Sequence, residues 1–323
     1  MKKGRRTMAE ASATMRDREA RMPSTKARRR TWRSRLKKCW TWYLFIAPNV
    51  ISFLVFTLFV WGLLIYLGFN QWDFIGTSKW VGLKNYKGVF QDPIFAKAVK
   101  NTAWYAAMFV VPATSTALFV AMLANQSLRG MYFFRAVYYL PVVTSIAVIS
   151  MIWSFVLVSR ADAPLNYLLS LVGIPRQKWL VDIKLAMPSV VGMQIWSTMG
   201  YYMVLWLAGL QGIPEELYDA AKIDGAGRWG LFRYVTWPML RPTTIFIVMV
   251  STIGAFQMFG GVYILTGGGP AHATITIVYY VWQQAFSRYH MGYASSISLV
   301  LFIIILIVTL IQRRLLNWSA DIY

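Results

Sequence analysis

Six stretches of the chain run for a bilayer-spanning length without an Asp, Glu, Lys or Arg: Tyr43–Phe69, Thr102–Ala124, Ala136–Val158, Leu185–Leu210, Thr243–Leu265 and Gly292–Ile311. Backbone groups in lipid need partners within their own segment, so each stretch is predicted to be a helix. Pro112 and Pro141 fall within or at the edge of the second and third and predict kinks. Only about ten residues, Asn125 to Phe134, join those two, which predicts a tight antiparallel pair. The segment 70–101 mixes aromatic residues with lysines, as interfacial segments do. In 159–184, Pro164, Gly173 and Pro175 surround the apolar LNYLLSLVGI, which predicts a short helix at the same interface.

The polar interruption at 213–242, IPEELYDAAKIDGAGRWGLFRYVTWPMLRP, has its own pattern. Pro214 suits a first helical position, Glu215 and Glu216 put negative charge on the first turn, and Gly225 with Gly227 supplies a stop before a second short helix. Ile213, Leu217, Ala220 and Ala221 share one face, with Glu215, Glu216, Asp219 and Lys222 largely elsewhere. A small apolar knob of that kind suits a groove on another protein.

Composition strengthens the membrane reading. The 323 residues are 57% hydrophobic and only 14% charged, too apolar for an ordinary soluble domain. The net charge of +21 could suggest nucleic acid, but 15 of the 33 basic residues lie in the first 38, with no aromatic before Trp32. That tail is predicted to be disordered, a topology signal facing lipid. The next apolar run is too long for a signal-peptide core and lacks a small-residue cleavage end, so it is expected to stay as the first span. Alternate loops carry 23 basic residues on the side of the tail and 10 on the other, which places both termini in the cytoplasm. The excess rests on the tail. A single cysteine, Cys39, excludes an intramolecular disulfide; palmitoylation at the membrane edge is conceivable there, an ordinary thiol the simpler reading.

Candidate chemistry is confined to neutral groups. No Walker motif, HExxH, intramembrane carboxylate pair or nucleophile elbow occurs, and His272 and His290 are too far apart in sequence for a local metal site. None of the six spans contains a charge, which argues against a carrier coupled to protons or sodium. The fourth stretch carries Gln194, Ser197, Thr198, Tyr201 and Tyr202; the fifth carries Ser251, Thr252 and Gln257, with Tyr263 near its end. Neutral hydrogen-bonding groups beside aromatic faces are what a carbohydrate requires. The simpler alternative is that Ser and Thr satisfy carbonyls of their own helices while the tyrosines pack between helices. The run LTGGGP at 265–270 is predicted to be a turn of little bulk, Gly267, Gly268, Gly269 and Pro270 allowing close approach of another backbone. No Gly-Lys-Ser/Thr follows it, so it is not a phosphate loop.

The segment IPEELYDAAKIDGAG with its WPMLRP ending resembles the EAA loop in permease subunits of ATP-binding-cassette importers, of the carbohydrate branch. LTGGGP, and N-Q-W followed by W-V-G-L-x-N-Y, resemble further signatures of sugar permeases. Asp219 stands where the family has Glu, keeping charge, and Trp237 where it has Leu, keeping bulk. The resemblance implies an all-α polytopic membrane protein with six transmembrane helices and the type I permease fold. Residues 1–38 would be a cytoplasmic tail, 39–323 the permease domain, and 213–242 its cytoplasmic coupling loop. It implies Glu216, Leu217, Asp219, Ala220, Ala221 and Gly225 as contacts to an ATPase, and favours Gln194, Thr198, Tyr201 and Ser251, with Gln257, as substrate contacts. No cofactor would bind this chain, ATP and Mg residing on the ATPase. The expected partners are a second permease, a dimer of ATPase subunits, an extracytoplasmic solute-binding protein and the bilayer of a bacterial cytoplasmic membrane. A stand-alone secondary transporter and a non-transporting scaffold are the competing readings.

Overall fold

The computed structural model describes residues 32–316 except 75, 127 and 128. The basic tail up to residue 31 and the side chain of Cys39 lie outside the described residues. The chain divides into two compact units, Met1–Val60 and Trp61–Tyr323. Within the first, α1 (Trp32–Phe53) leads into a π turn at Leu54–Leu58. Helix therefore starts inside the stretch whose composition predicts disorder. Helix α2 (Phe59–Gly68) crosses the division between the units.

In the second unit a short antiparallel ladder pairs β1 (Asn70–Gln71) with β2 (Lys79–Trp80), and α3 (Lys84–Gln91) follows. The long α4 (Pro93–Ala124) is capped by Asp92, whose Oδ1 accepts from the amides of Ile94 and Phe95. Next come α5 (Met131–Val143), α6 (Ile146–Val156), the short α7 (Pro164–Ser170) and α8 (Ala186–Gln211). The expected interfacial helix in 159–184 is α7. Beyond it lie α9 (Glu215–Ile223), α10 (Arg241–Phe256), α11 (Gly260–Leu265), α12 (Ile277–Trp282) and α13 (Met291–Leu316).

All six apolar stretches are helical, but they are not six equal spans. Among the described residues four helices are long and apolar enough to cross a membrane: Trp42–Gly68, Pro93–Ala124, Arg241–Leu265 and Met291–Leu316. Helix α8 has 26 residues, about 39 Å at 1.5 Å per residue, but its polar middle dilutes its apolar character. The third stretch corrects the expectation of one helix over Ala136–Val158: α5 and α6 meet at a 97° bend. Pro141 is retained inside α5, and two residues after it the helix ends. Thr144 and Ser145 are extended, and the Ser145 hydroxyl restarts the helix by accepting from the Ala147 amide.

The core is a helix-on-helix packing centred on α4 and α8. The Trp206 indole in α8 donates to the Thr114 carbonyl in α4 at 3.1 Å, both buried. Small residues set the closest approaches, as in other membrane bundles. A Cβ on Gly200 of α8 would collide with the Tyr138 carbonyl of α5, and one on Gly292 of α13 with the Asn70 carbonyl of β1. Asp92 ties α4, α12 and α13 together, its Oδ2 accepting from the hydroxyls of Tyr280 and Tyr293. Burial pushes this carboxyl up, but the two tyrosines and the two capping amides outweigh that and hold it below the ordinary Asp range. Burial and the same carboxylate push the Tyr280 hydroxyl up to about 12.

Candidate functional site: a broken-helix centre and a docking helix

The polar stretch of α8 lies beside two interruptions of helix. One is the Thr144–Ser145 bend. The other separates α10 from α11 at residues 257–259, where Gln257 ends the helix and the buried Thr276 hydroxyl donates to the Met258 carbonyl at 3.0 Å. Three close approaches locate them. Gly200 abuts Tyr138 and Tyr139 just before the first break, Gly260 of α11 abuts Ile146 just after it, and Gly261 abuts Met193 of α8. Residues 193–200 of α8 thus run past both breaks. Irregular backbone at membrane depth is tolerated only where protein buries it or a water-filled path lines it, and discontinuous helices are where transporters hold solutes.

The five expected substrate contacts fare differently at this centre. Gln194 is half-buried, and its Oε1 has no hydrogen-bond partner among the described residues. Its backbone carbonyl accepts from the hydroxyls of Ser197 and Thr198, at 3.2 and 2.8 Å. Tyr201 is 39% exposed and meets the buried Tyr202 edge to face at 5.3 Å. Gln257 is exposed at the second break. Ser251, by contrast, is fully buried and donates to the Val248 carbonyl at 3.0 Å. Gln194 and Tyr201 on α8 and Gln257 on the break therefore have free polar groups or exposed surface; Thr198 and Ser251 have their hydroxyls engaged by their own helices. The kink expected from Pro141 is present three residues later than the proline, at Thr144–Ser145, and it is a 97° break between two helices.

The turn at 265–270 is closely packed. Gly267 and Gly268 have φ of +55° and +79°, and a Cβ on Gly268 would sit 2.7 Å from the Tyr279 ring. Its close approach is thus to an aromatic face of its own chain. Thr274 donates to the Gly269 carbonyl at 2.6 Å, and Gly269 joins Pro270 through a cis peptide. Beyond it Lys97 and Asn101 of α4 hold the carbonyls of Ala271 and His272 at 2.7 and 2.9 Å.

At 213–242 the two-helix expectation holds, with Pro214 standing one place earlier than expected, at the N-cap. Glu215 and Glu216 occupy the first turn of α9. At its other end the Gly225 amide donates to Lys222 and the Ala226 amide to Ala221, at 3.0 and 2.9 Å, with Gly225 at φ +84°. This pair of bonds is a Schellman cap, which needs a left-handed residue at that place. The apolar face is split. Ile213 is buried and Ala221 packs on the core, whereas Leu217 and Ala220 are exposed beside Ile223, which is 86% exposed. Glu216 is exposed, and Asp219 is exposed and paired with Lys222 at 2.9 Å. The Tyr218 hydroxyl lies 3.1 Å from Thr236 Oγ1 and ties α9 to the segment that follows. That segment is helical through Arg228–Gly230, a π turn at Leu231–Thr236 and Trp237–Met239, and it enters α10 after Leu240.

Residues 113–318 match the sequence profile of a family described as binding-protein-dependent transport system inner membrane component. The chain is 36% identical over 287 residues to the probable ABC transporter permease protein YurN of Bacillus subtilis, covering 86% of this chain and 97% of that protein. It is 34% identical to the arabinooligosaccharides transport system permease protein AraP of the same organism, over 84% of this chain and 87% of AraP. The fold is similar to a chain in the crystal structure of a bacterial alginate ABC transporter in complex with an alginate pentasaccharide-bound periplasmic protein. The TM-score is 0.78 at 21% identity, covering 89% of this chain and 97% of the other.

Proposed function

Because the chain belongs to the family of binding-protein-dependent transport system inner membrane components, a transport subunit and not an enzyme, we propose that it forms half of the path by which a neutral saccharide enters the cell. The observation that carries the reading is the polar stretch of α8 between two helix breaks, with the unpartnered Gln194 Oε1 and the exposed Tyr201. A sugar offers hydroxyls to the first and a ring face to the second. AraP, whose name specifies arabino-oligosaccharides, supports that substrate class.

Both termini and 213–242 face the cytoplasm in this reading. Helix α9 enters a cleft on one subunit of an ATPase dimer through Leu217, Ala220 and Ile223, with Glu216 and Asp219 beside basic groups of that subunit. Ala221 keeps α9 close to its own chain, and Gly225 closes its end. ATP and Mg act on the ATPase. A solute-binding protein delivers the sugar to the outer loops near Gly267–Pro270, and a second permease completes the path.

Reconstitution with the co-purifying subunits tests the proposal. In proteoliposomes supplied with ATP and labelled maltose or arabino-oligosaccharide, a Gln194→Ala/Tyr201→Ala variant is expected to lose uptake while retaining assembly. Unchanged uptake by the assembled double variant would remove the α8 site. Mass spectrometry of a mild-detergent purification is expected to find a Walker-motif ATPase and a second EAA-loop permease.

A further inference from the structure

A groove of about 680 Å³ opens along the helical segment after α9 and the first turn of α10, lined by Trp229, Phe232, Arg233, Trp237, Pro238 and Arg241. Its floor is a run of rings: Trp229 stacks on Phe232 at 5.6 Å between centroids, and Phe232 lies 6.2 Å from Trp237. Trp229 is 73% exposed and Trp237 41%. Large aromatics exposed beside arginines would be a liability in water, but they suit the boundary between water and lipid. The groove stands at that boundary, because its last residue, Arg241, begins the apolar helix Arg241–Leu265.

Its charge is uncompensated. No Asp or Glu occurs from Gly225 to Leu316, and the two ion pairs among the described residues, Arg160–Asp162 and Lys222–Asp219, involve neither Arg233 nor Arg241. Arg233 instead lies over the Tyr234 ring at 5.9 Å. Two guanidinium groups outside any ion pair among the described residues, an aromatic floor and continuity with an apolar helix of membrane-spanning length together fit one occupant. We propose that the groove binds the headgroup of an anionic phospholipid. Arg233 and Arg241 take the phosphodiester oxygens, and Trp229, Trp237 and Pro238 cover the glycerol and the first methylenes. A docked protein would fit the aromatic floor equally well, but continuity with a membrane span and charge of one sign favour lipid. Binding would place a lipid against the helical segment that joins α9 to α10, which the Tyr218–Thr236 contact ties to α9. Assignment to the cytoplasmic leaflet rests on the orientation proposed above, whereas the binding rests on the groove alone.

The test uses the whole transporter in nanodiscs of phosphatidylcholine with a minority of phosphatidylglycerol, and native mass spectrometry to count each lipid retained. Two basic groups predict a preference for phosphatidylglycerol of about 30-fold at one site per chain. An Arg233→Gln/Arg241→Gln variant is expected to abolish that preference, Arg233→Lys/Arg241→Lys to keep part of it, and Arg313→Gln/Arg314→Gln to leave it intact. Millimolar inorganic phosphate is expected not to displace the lipid. A wild-type transporter without preference would overturn the proposal whatever the variants do. So would displacement by phosphate, which would indicate a site for a free anion. Loss of the second permease or the ATPase from the Gln variant, with lipid retention unchanged, would make the groove a protein interface. Labelling of a Trp229→Cys variant in a Cys39→Ser background, from one side of the membrane at a time, tests the orientation separately.

Discussion

Replacing Gly225 separates backbone strain from bulk at the end of α9. Gly225 holds φ at +84° and closes the Schellman cap, yet a Cβ added there meets nothing within 4 Å. The cost of a substitution is therefore set by the preference of the new residue for left-handed backbone. That cost is about 1 kcal/mol for Ala, less for Asn and about 2 kcal/mol for β-branched Val. Helix α9 has nine residues, too few to persist without its caps and its packing. The ratio of capped to frayed helix should then fall about five-fold for Ala and about 30-fold for Val. Uptake per ATP hydrolysed in proteoliposomes is the assay, and the expected order is Gly, Asn, Ala, Val. Asn is larger than Ala, so the order decides the matter. Asn performing worse than Ala would show that volume in the ATPase cleft, not backbone conformation, governs this position.

Substitutions at Asp92, in the 265–270 turn and at Tyr218 read other parts of the structure. Asp92→Ala removes a helix cap and leaves tyrosine hydroxyls unpaired, so thermal unfolding in detergent should show a loss of about 2–4 kcal/mol. The carboxyl of Asp92 is held below its ordinary range. Its contribution is therefore present at neutral pH and lost as pH falls through its folded pKa, below the ordinary Asp range; Asp92→Asn should lack that acid-dependent component. Gly268→Ala, at φ +79° and against Tyr279, should destabilise by more than about 2 kcal/mol, whereas Gly269→Ala should cost less, as differential scanning fluorimetry would show. Tyr218→Phe, which loses only the bond to Thr236, should lower uptake per ATP while leaving hydrolysis intact.

The apolar spans were legible because an uncharged run of bilayer length suits little besides a helix in lipid, and the ends of α9 because Pro214, two glutamates and Gly225 each act locally. The α5–α6 bend was harder to read. Apolar residues continue on both sides of Thr144 and Ser145, so the pattern is unbroken where the backbone turns by 97°. Which polar side chains face a path was not legible either. Ser251 and Gln257 share one apolar stretch, yet the first is enclosed by packing between helices and the second lies where α10 ends. Ile223, one turn on from Ala220, lay outside the expected knob, and its exposure emerges only once Tyr218 and Ala221 anchor the other face of α9 to the chain.

The same contacts suggest how force at α9 could reach the centre of the bundle. Tyr218 and Thr236 join α9 to the helical segment that enters α10, and α10 runs 16 residues, about 24 Å, to the break at Gln257. Beyond the break, α11 packs on Ile146 of α6 and Met193 of α8 through glycines that leave no room for a side chain, and α10 packs on α8 as well, where Gly209 leaves no room beside Thr243. The Gln312 amide donates to the Thr252 hydroxyl at 2.8 Å and holds α13 to α10. A displacement of α9 would therefore act on α10 together with the helices packed against it, and the break at 257–259 is where that helical run ends, beside the polar stretch of α8.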